Sequence, residues 1–259
     1  MAKAIILAAG KGLRLRPLTN RKPKCLVPLM GKTLLERQIE TLNSLNIHEI
    51  KVVTGHCSER IESLGLNTSK NENFINSNMV ASLFTAIDFI NECDEDLIIS
   101  YGDIVYTKQN LAKLLACKEE IAIMIDENWE SLWSLRFENV LDDAETLIMD
   151  DKCLISEIGK KPVNLNDIQG QYTGLVKIRF DKILPMIDFY NNLDRSTFYD
   201  GNNFSNMYMT SFLQLLINFS WRVKAVNVKG GWLEVDSLED LDKYENLAKL
   251  GTLKNFFEI

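Results

Sequence analysis

The chain has 259 residues, 46% of them hydrophobic and 25% charged, with a formal net charge of −7, the make-up of an ordinary globular protein. Its acidic balance argues against nucleic acid as the main partner, because phosphate-backbone binding needs a broad basic surface. No stretch approaches the roughly 18 apolar residues needed to cross a bilayer, and length alone leaves one large α/β domain or two small ones open.

Short apolar runs alternate with helical patterns through the first half, the signature of βαβ units and a mainly parallel sheet. The pattern predicts a strand over 4–8, a helix over 33–45, a strand over 49–53, a helix over 79–91, a strand over 96–100, a helix over 108–117 and a strand over 120–125. After Asp126 a Trp-containing stretch, ENWESLWSLRF, precedes an acidic DDAE and two short apolar runs at 146–149 and 153–158, which reads as a lobe inserted over 127–175. A strand over 172–179, helices over 181–192 and 206–219, a strand over 222–228 and a closing helix over 237–249 follow. Asp236 or Ser237 caps that last helix, and Glu239 and Asp240 suit its positive end. No repeat or linker separates domains, so residues 1–259 are expected to form one domain.

The start, MAKAIILAAGKG, lacks the features of a signal peptide and reads as a buried strand entering a turn, which places the protein in the cytoplasm. Cys25, Cys57, Cys93, Cys117 and Cys153 are scattered, odd in number and without a CxxC pair, so neither disulfides nor zinc is expected. His48 and His56 read as structural or solvent-facing. Chemistry must rest on carboxylates, lysines and arginines.

The strongest signal is Leu7-Ala8-Ala9-Gly10-Lys11-Gly12-Leu13-Arg14-Leu15-Arg16-Pro17, where a buried strand enters a basic, glycine-bearing loop. Gly10 and Gly12 allow close approach of backbone N–H groups to phosphate oxygens. Lys11, Arg14, Arg16, Arg21, Lys22 and Lys24 form a positive run with no acid between residues 11 and 24, which suits a compact polyanion such as a triphosphate. The Walker pattern and GxGxxG are both absent.

LAAGKGLRLRPLT followed by RKPKCLVPLMGKTLLERQI resembles the amino-terminal signature of the nucleoside-triphosphate transferases that make sugar nucleotides and CDP-alcohols. Tyr101-Gly102-Asp103, Ile158-Gly159-Lys160-Lys161-Pro162, Tyr172-Thr173-Gly174-Leu175 and Gly231-Trp232-Leu233-Glu234-Val235-Asp236-Ser237 continue the resemblance in order. It departs at Leu13, where the family usually has Ser or Thr. The resemblance implies a Rossmann-like three-layer α/β/α fold with a mixed, mainly parallel central sheet. It also implies that Asp103 and Asp236 hold Mg²⁺, that Lys24 serves the α-phosphate and Arg14 the triphosphate, and that Lys161, or Lys160 in its place, holds the acceptor phosphate. An acceptor oxygen would then displace pyrophosphate in line at the α-phosphorus, with no protein nucleophile.

The stretch FINSNMVASLFTA resembles bacterial phosphocholine cytidylyltransferases. Asn78 and Ser82, four residues apart on one helix face, would read cytosine, and Asn78 also suits a helix cap. Tyr172 and Trp232, with Glu157 and Glu234, suit a cationic head group, whereas Trp129, Leu132, Trp133 and Phe137 read as a packed amphipathic helix. The expected enzyme transfers CMP from CTP to a small zwitterionic phosphate of the phosphocholine, phosphoglutamine or phosphonate type, for decoration of a surface polysaccharide, as a monomer or homodimer without membrane or nucleic-acid partners. The alternatives are a sugar-1-phosphate nucleotidyltransferase using UTP or dTTP and a nucleotide sensor without turnover.

Overall fold

Every residue of the first strand, β1 (Ala2–Ala8), is buried, which explains why AKAIILA shows an apolar run rather than alternation: helices cover both faces of the sheet. The computed structural model describes residues 2–258. After β1 come α1 (Leu34–Asn43), β2 (Ile50–Thr54), β3 (Asn67–Lys70), α2 (Met79–Phe84), α3 (Ile87–Asn91), β4 (Asp96–Tyr101), β5 (Ile104–Tyr106), α4 (Lys108–Ala116) and β6 (Ile121–Asp126). The second half adds α5 (Trp129–Arg136), β7 (Leu147–Met149), β8 (Ile155–Ile158), β9 (Gln171–Ile178), α6 (Ile183–Asn191), α7 (Met209–Asn218), β10 (Val223–Val228), β11 (Trp232–Glu234) and α8 (Leu238–Lys249).

Seven strands form the central sheet in the order β10-β6-β9-β4-β1-β2-β3. All neighbours run parallel except β9, which is antiparallel to both β4 and β6. Successive side chains point to opposite faces of a strand, so Ile6, Ile98 and Met124 join the core under α1, α4 and α8, while Ile5, Ile99 and Ile123 join the core under α2, α6 and α7. The result is the expected Rossmann-like three-layer α/β/α architecture with a mixed, mainly parallel sheet.

Two boundaries differ from the sequence reading. The helix expected over 79–91 is broken into α2 and α3, because Thr85 Oγ1 donates back to the Ala81 carbonyl at 3.0 Å and Ala86 leaves helical geometry at φ −92°, ψ 27°; such back-bonding bends helices. Residues 171–175, expected in the inserted lobe, lie in β9 at the centre of the sheet. The segment before it holds the antiparallel hairpin β7–β8 and α5, whose Trp129, Leu132 and Trp133 are buried in the main core.

Ser237, not Asp236, caps α8. Its hydroxyl accepts from Asp240 N at 3.0 Å, and Asp240 Oδ2 accepts from Ser237 N at 3.0 Å, a reciprocal capping box. This leaves the Asp236 carboxylate free to point elsewhere. Replacing Ser237 by Ala should lower the unfolding free energy by about 1 kcal/mol, read as a lower urea midpoint at unchanged slope.

Candidate active site

The carboxyl ends of β1 and β4 lie side by side, with Leu7 in register with Tyr101, at the edge where open α/β sheets place ligands. Beyond β1 the chain turns through Gly12, whose φ is +58° and where an added Cβ would lie 3.0 Å from Lys24 Cβ and 3.1 Å from Thr19 Cγ2. Glycine thus lets the basic loop close on Lys24. Thr19 Oγ1 donates to the Gly12 carbonyl at 2.7 Å and His56 Nε2 lies 2.8 Å from the Thr19 carbonyl, which gives His56 a structural role. The resulting cleft, about 150 Å³, is lined by Leu7, Ala8, Ala9, Gly10, Lys24, Asn78, Ser82, Gly102 and Asp103 among others. Lys11, Gly12 and Arg14, expected at the nucleotide, are not among its lining residues, and Arg14 lines the neighbouring cleft.

Both residues expected to read the base face this cleft, each already engaged. Asn78 Oδ1 accepts from Met79 N at 2.8 Å and caps α2. Ser82 Oγ accepts from Asn71 Nδ2 at 2.9 Å, and Asn71 also donates to Ser77 Oγ at 2.9 Å. Asn71, buried and unmarked by any sequence pattern, thereby orders the wall.

Antiparallel pairing of β5 with β11 brings the two distant aspartates together. Glu234 is in register with Ile104, and Val235 N donates to the Asp103 carbonyl at 3.0 Å, so Asp103 and Asp236 extend from adjacent strand ends. Between them lies the Lys24 ammonium, 2.7 Å from Asp103 Oδ2 and 2.6 Å from Asp236 Oδ1. Arg14 Nη2 lies 2.6 Å from Asp236 Oδ2. Burial alone would lower the Lys24 pKa, but the charges of Asp103 and Asp236 outweigh it and raise it. Burial works to raise the Asp236 pKa, yet Lys24 and Arg14 bring it below the usual range. Asp103 Oδ1 is buried without a hydrogen-bond partner among the described residues, an acceptor left open toward a cation.

Buried side chains hold both aspartates from behind. Gln38 Nε2 donates to the carbonyls of Tyr101 at 3.0 Å and Ile104 at 2.8 Å, the residues that bracket the Gly102-Asp103 turn, and its Oε1 accepts from Ser100 Oγ at 2.7 Å. Asp240 Oδ2 accepts from Asp236 N at 3.1 Å. Arg136, whose side chain is only 2% exposed, contacts Asp240 Oδ1 at 3.1 Å and Glu234 Oε2 at 2.7 Å. The Asp240 contact is local, whereas Gln38 and Arg136 carry no local sequence signature, since each joins elements far apart in the chain.

A second cleft of about 380 Å³ adjoins the aspartates and is lined by Arg14, Trp133, Glu145, Tyr172, Trp232 and Glu234 among others. Tyr172 stacks edge-on against Tyr101 at 5.7 Å, and Trp232 Nε1 donates to Asp126 Oδ2 at 2.9 Å. Glu157, Lys160 and Lys161, expected at the acceptor, do not line it. Lys160 pairs with Glu157 at 2.5 Å on the hairpin surface, and Lys161 Nζ donates to the carbonyls of Leu141 and Asp142. Glu145, in the acidic DDAE run, lines the cleft instead.

A profile of the MobA-like NTP transferase domain matches residues 4–152. The chain belongs to this family. The MobA-like NTP transferase is 47% identical over 248 residues to the CTP:phosphoglutamine cytidylyltransferase of Campylobacter jejuni, an alignment covering 92% of this chain and 97% of that protein. In fold it is similar to the CTP:phosphocholine cytidylyltransferase of Streptococcus pneumoniae, with a TM-score of 0.70 at 21% identity over 95% of this chain and 99% of that one. It is also similar to the inositol-1-phosphate CTP transferase of T. maritima, with a TM-score of 0.73 at 19% identity over 100% and 98%.

In this transferase two adjacent carboxylates share the Lys24 ammonium, which offsets the repulsion of like charges, about 4 kcal/mol for a pair ~4 Å apart at an effective dielectric of ~20. Arg136 plays the same part for Glu234 and Asp240 one layer deeper. Arg136→Leu therefore leaves two buried acids uncompensated and should lower the unfolding free energy by about 3–5 kcal/mol, measured as a fall in the denaturation midpoint at pH 7.

Proposed function

We propose that this nucleotidyltransferase moves CMP from CTP to a small zwitterionic phosphate of the phosphocholine, phosphoglutamine or phosphonate type and releases pyrophosphate, with Mg²⁺ at Asp103 and Asp236. The observation that carries this reading is the meeting of Asp103 and Asp236 on one cation between two clefts. The first cleft is sized by backbone and small side chains and accepts the nucleotide. The second, bounded by aromatic and acidic side chains, accepts the partner phosphate.

Magnesium suits the donor set. Asp103 and Asp236 are hard carboxylate ligands, and the open Asp103 Oδ1 has a lone pair to offer. Among the described residues no third His, Cys, Asp or Glu joins them, so substrate oxygens and water would complete the ion's shell. When bound, the ion would draw negative charge from the α-phosphate. Lys24 and Arg14, released from the aspartates, then meet phosphate oxygens, Arg14 by its planar fork and Lys24 as a point charge. An acceptor phosphate oxygen forms a bond to the α-phosphorus while the bond to the pyrophosphate oxygen breaks opposite it, and the clefts hold the reactants in that line. Lys161 has no contact with either cleft, so Arg14 is the cation available to the acceptor phosphate. The C. jejuni relative's activity supports CTP and a phosphorylated amino compound. The same reading assigns the enzyme to the cytoplasm, as a monomer or homodimer, and its product to decoration of a surface polysaccharide.

Pyrophosphate release should occur with CTP and Mg²⁺ plus phosphoglutamine, phosphocholine or aminoethylphosphonate. Release with UTP or dTTP and glucose-1-phosphate, and none with CTP, would replace this reading by sugar-nucleotide synthesis. Asp103→Asn and Asp236→Asn should each lower kcat by about 10³-fold or more at unchanged melting temperature, since each removes charge from the transferring phosphate. Near-normal turnover in either variant would displace the metal assignment.

A further inference from the structure

We infer that Glu145 is the residue by which this enzyme selects a positively charged acceptor, its carboxylate pairing with the acceptor's ammonium in the second cleft. The inference rests on reading that cleft as the acceptor site.

The backbone of Glu145 is fixed from both sides by one amide: Glu145 N donates to Gln171 Oε1 at 3.0 Å and Gln171 Nε2 donates to the Glu145 carbonyl at 2.6 Å. Gln171 begins β9, so the acidic loop is tied to the central sheet. Cations near the cleft are already engaged: Arg14 with Asp236, Arg136 with Glu234 and Asp240, and Lys161 with two carbonyls. Glu145 forms no ion pair among the described residues, and the acids Asp143, Asp200 and Glu234 add negative potential around it. Burial first, then those three acids, pushes its carboxyl up to about 7. Tyr101 and Tyr172, the phenols facing it from β4 and β9, are held neutral because burial raises both. Trp133 Nε1 and Tyr172 Oη, in the wall of the same cleft, are buried without partners, a deficit that an occupant or the reorganisation it brings would relieve.

A half-buried acid that lacks a counter-ion and stands among like charges is unfavourable to the fold unless a ligand supplies the missing charge. A neutral sugar phosphate would leave it uncompensated. An ammonium compensates it and gains from the ring of Tyr172, the half-buried aromatic in the cleft wall. Cation binding also favours the ionised carboxylate, so it expels a proton near neutral pH, and affinity for cationic acceptors rises as pH rises through about 7. The acceptor phosphate titrates near ~6 as well, but a neutral analogue carries the same phosphate, so the ratio of the two affinities isolates the carboxylate.

Calorimetric binding to the 259-residue protein provides the test, using phosphocholine against 3,3-dimethylbutyl phosphate and phosphoglutamine against its desamino analogue. At pH 8 the wild type should bind the cationic member of at least one pair about 10- to 100-fold more tightly, and the ratio should shrink below pH 6. Glu145→Gln should bring it near unity at both pH values, leave CTP binding unchanged and raise the melting temperature at pH 8, because one of several clustered negative charges is removed. Equal binding of both members of each pair by the wild type, or a wild-type ratio retained by Glu145→Gln, would overturn the inference. A charge preference without pyrophosphate release from CTP would refute cytidylyl transfer while upholding the role of Glu145.

Discussion

One ammonium group holds the active edge of this protein in order. Asp103 ends a turn after β4 and Asp236 precedes α8, and the Lys24 Nζ between them lies within 2.7 Å of both. Without a shared cation the two carboxylates would repel, and the β5–β11 pairing that brings them together would be weakened at its end. Lys24 is thus the internal counter-ion of two adjacent carboxylates. On the proposed reading, a divalent ion would take its place between the carboxylates and a triphosphate would take up the ammonium.

That arrangement depends on a second layer of buried polar contacts. Gln38 reaches from α1 to both carbonyls flanking the Asp103 turn, and Asp240 receives the backbone N–H of Asp236 while Arg136 neutralises it. Rigid sheet edges and helix ends supply these groups, so the aspartates are held by elements that also form the core. Positioning of this kind contributes to transfer because misplacement of about 1 Å can cost on the order of 10²-fold in rate.

The two clefts differ in what they leave unsatisfied. Around the first cleft Asn78 caps α2 and Asn71 holds Ser82, with Asp103 Oδ1 left open. The second cleft retains an acid without an ion-pair partner and two orphaned donors in its wall. Buried polar atoms without partners are places where a ligand can complete the hydrogen bonding. On the proposed reading, selectivity for the acceptor resides in this second cleft.

Local pattern determined much of the architecture. Buried apolar runs identified the strands and 3.6-residue periodicity the helices, because each signal is written within one turn or one strand. Motif order identified Asp103, Asp236 and Lys24 as partners, and the tertiary structure joins them. What sequence pattern left undecided was which acids and bases meet across the chain. Glu157 and Lys160 satisfy one another on a hairpin three residues apart, and Lys161 is drawn to nearby carbonyls, so their suggestive spacing leads away from the cleft. Glu145, Gln38 and Arg136 enter the site only through contacts over long sequence separations, Glu145 through Gln171 of the central β9, Gln38 through the carbonyls of Tyr101 and Ile104, and Arg136 through Glu234 of β11. Strand pairing of that kind depends on the whole buried sheet, and no short window of residues encodes it.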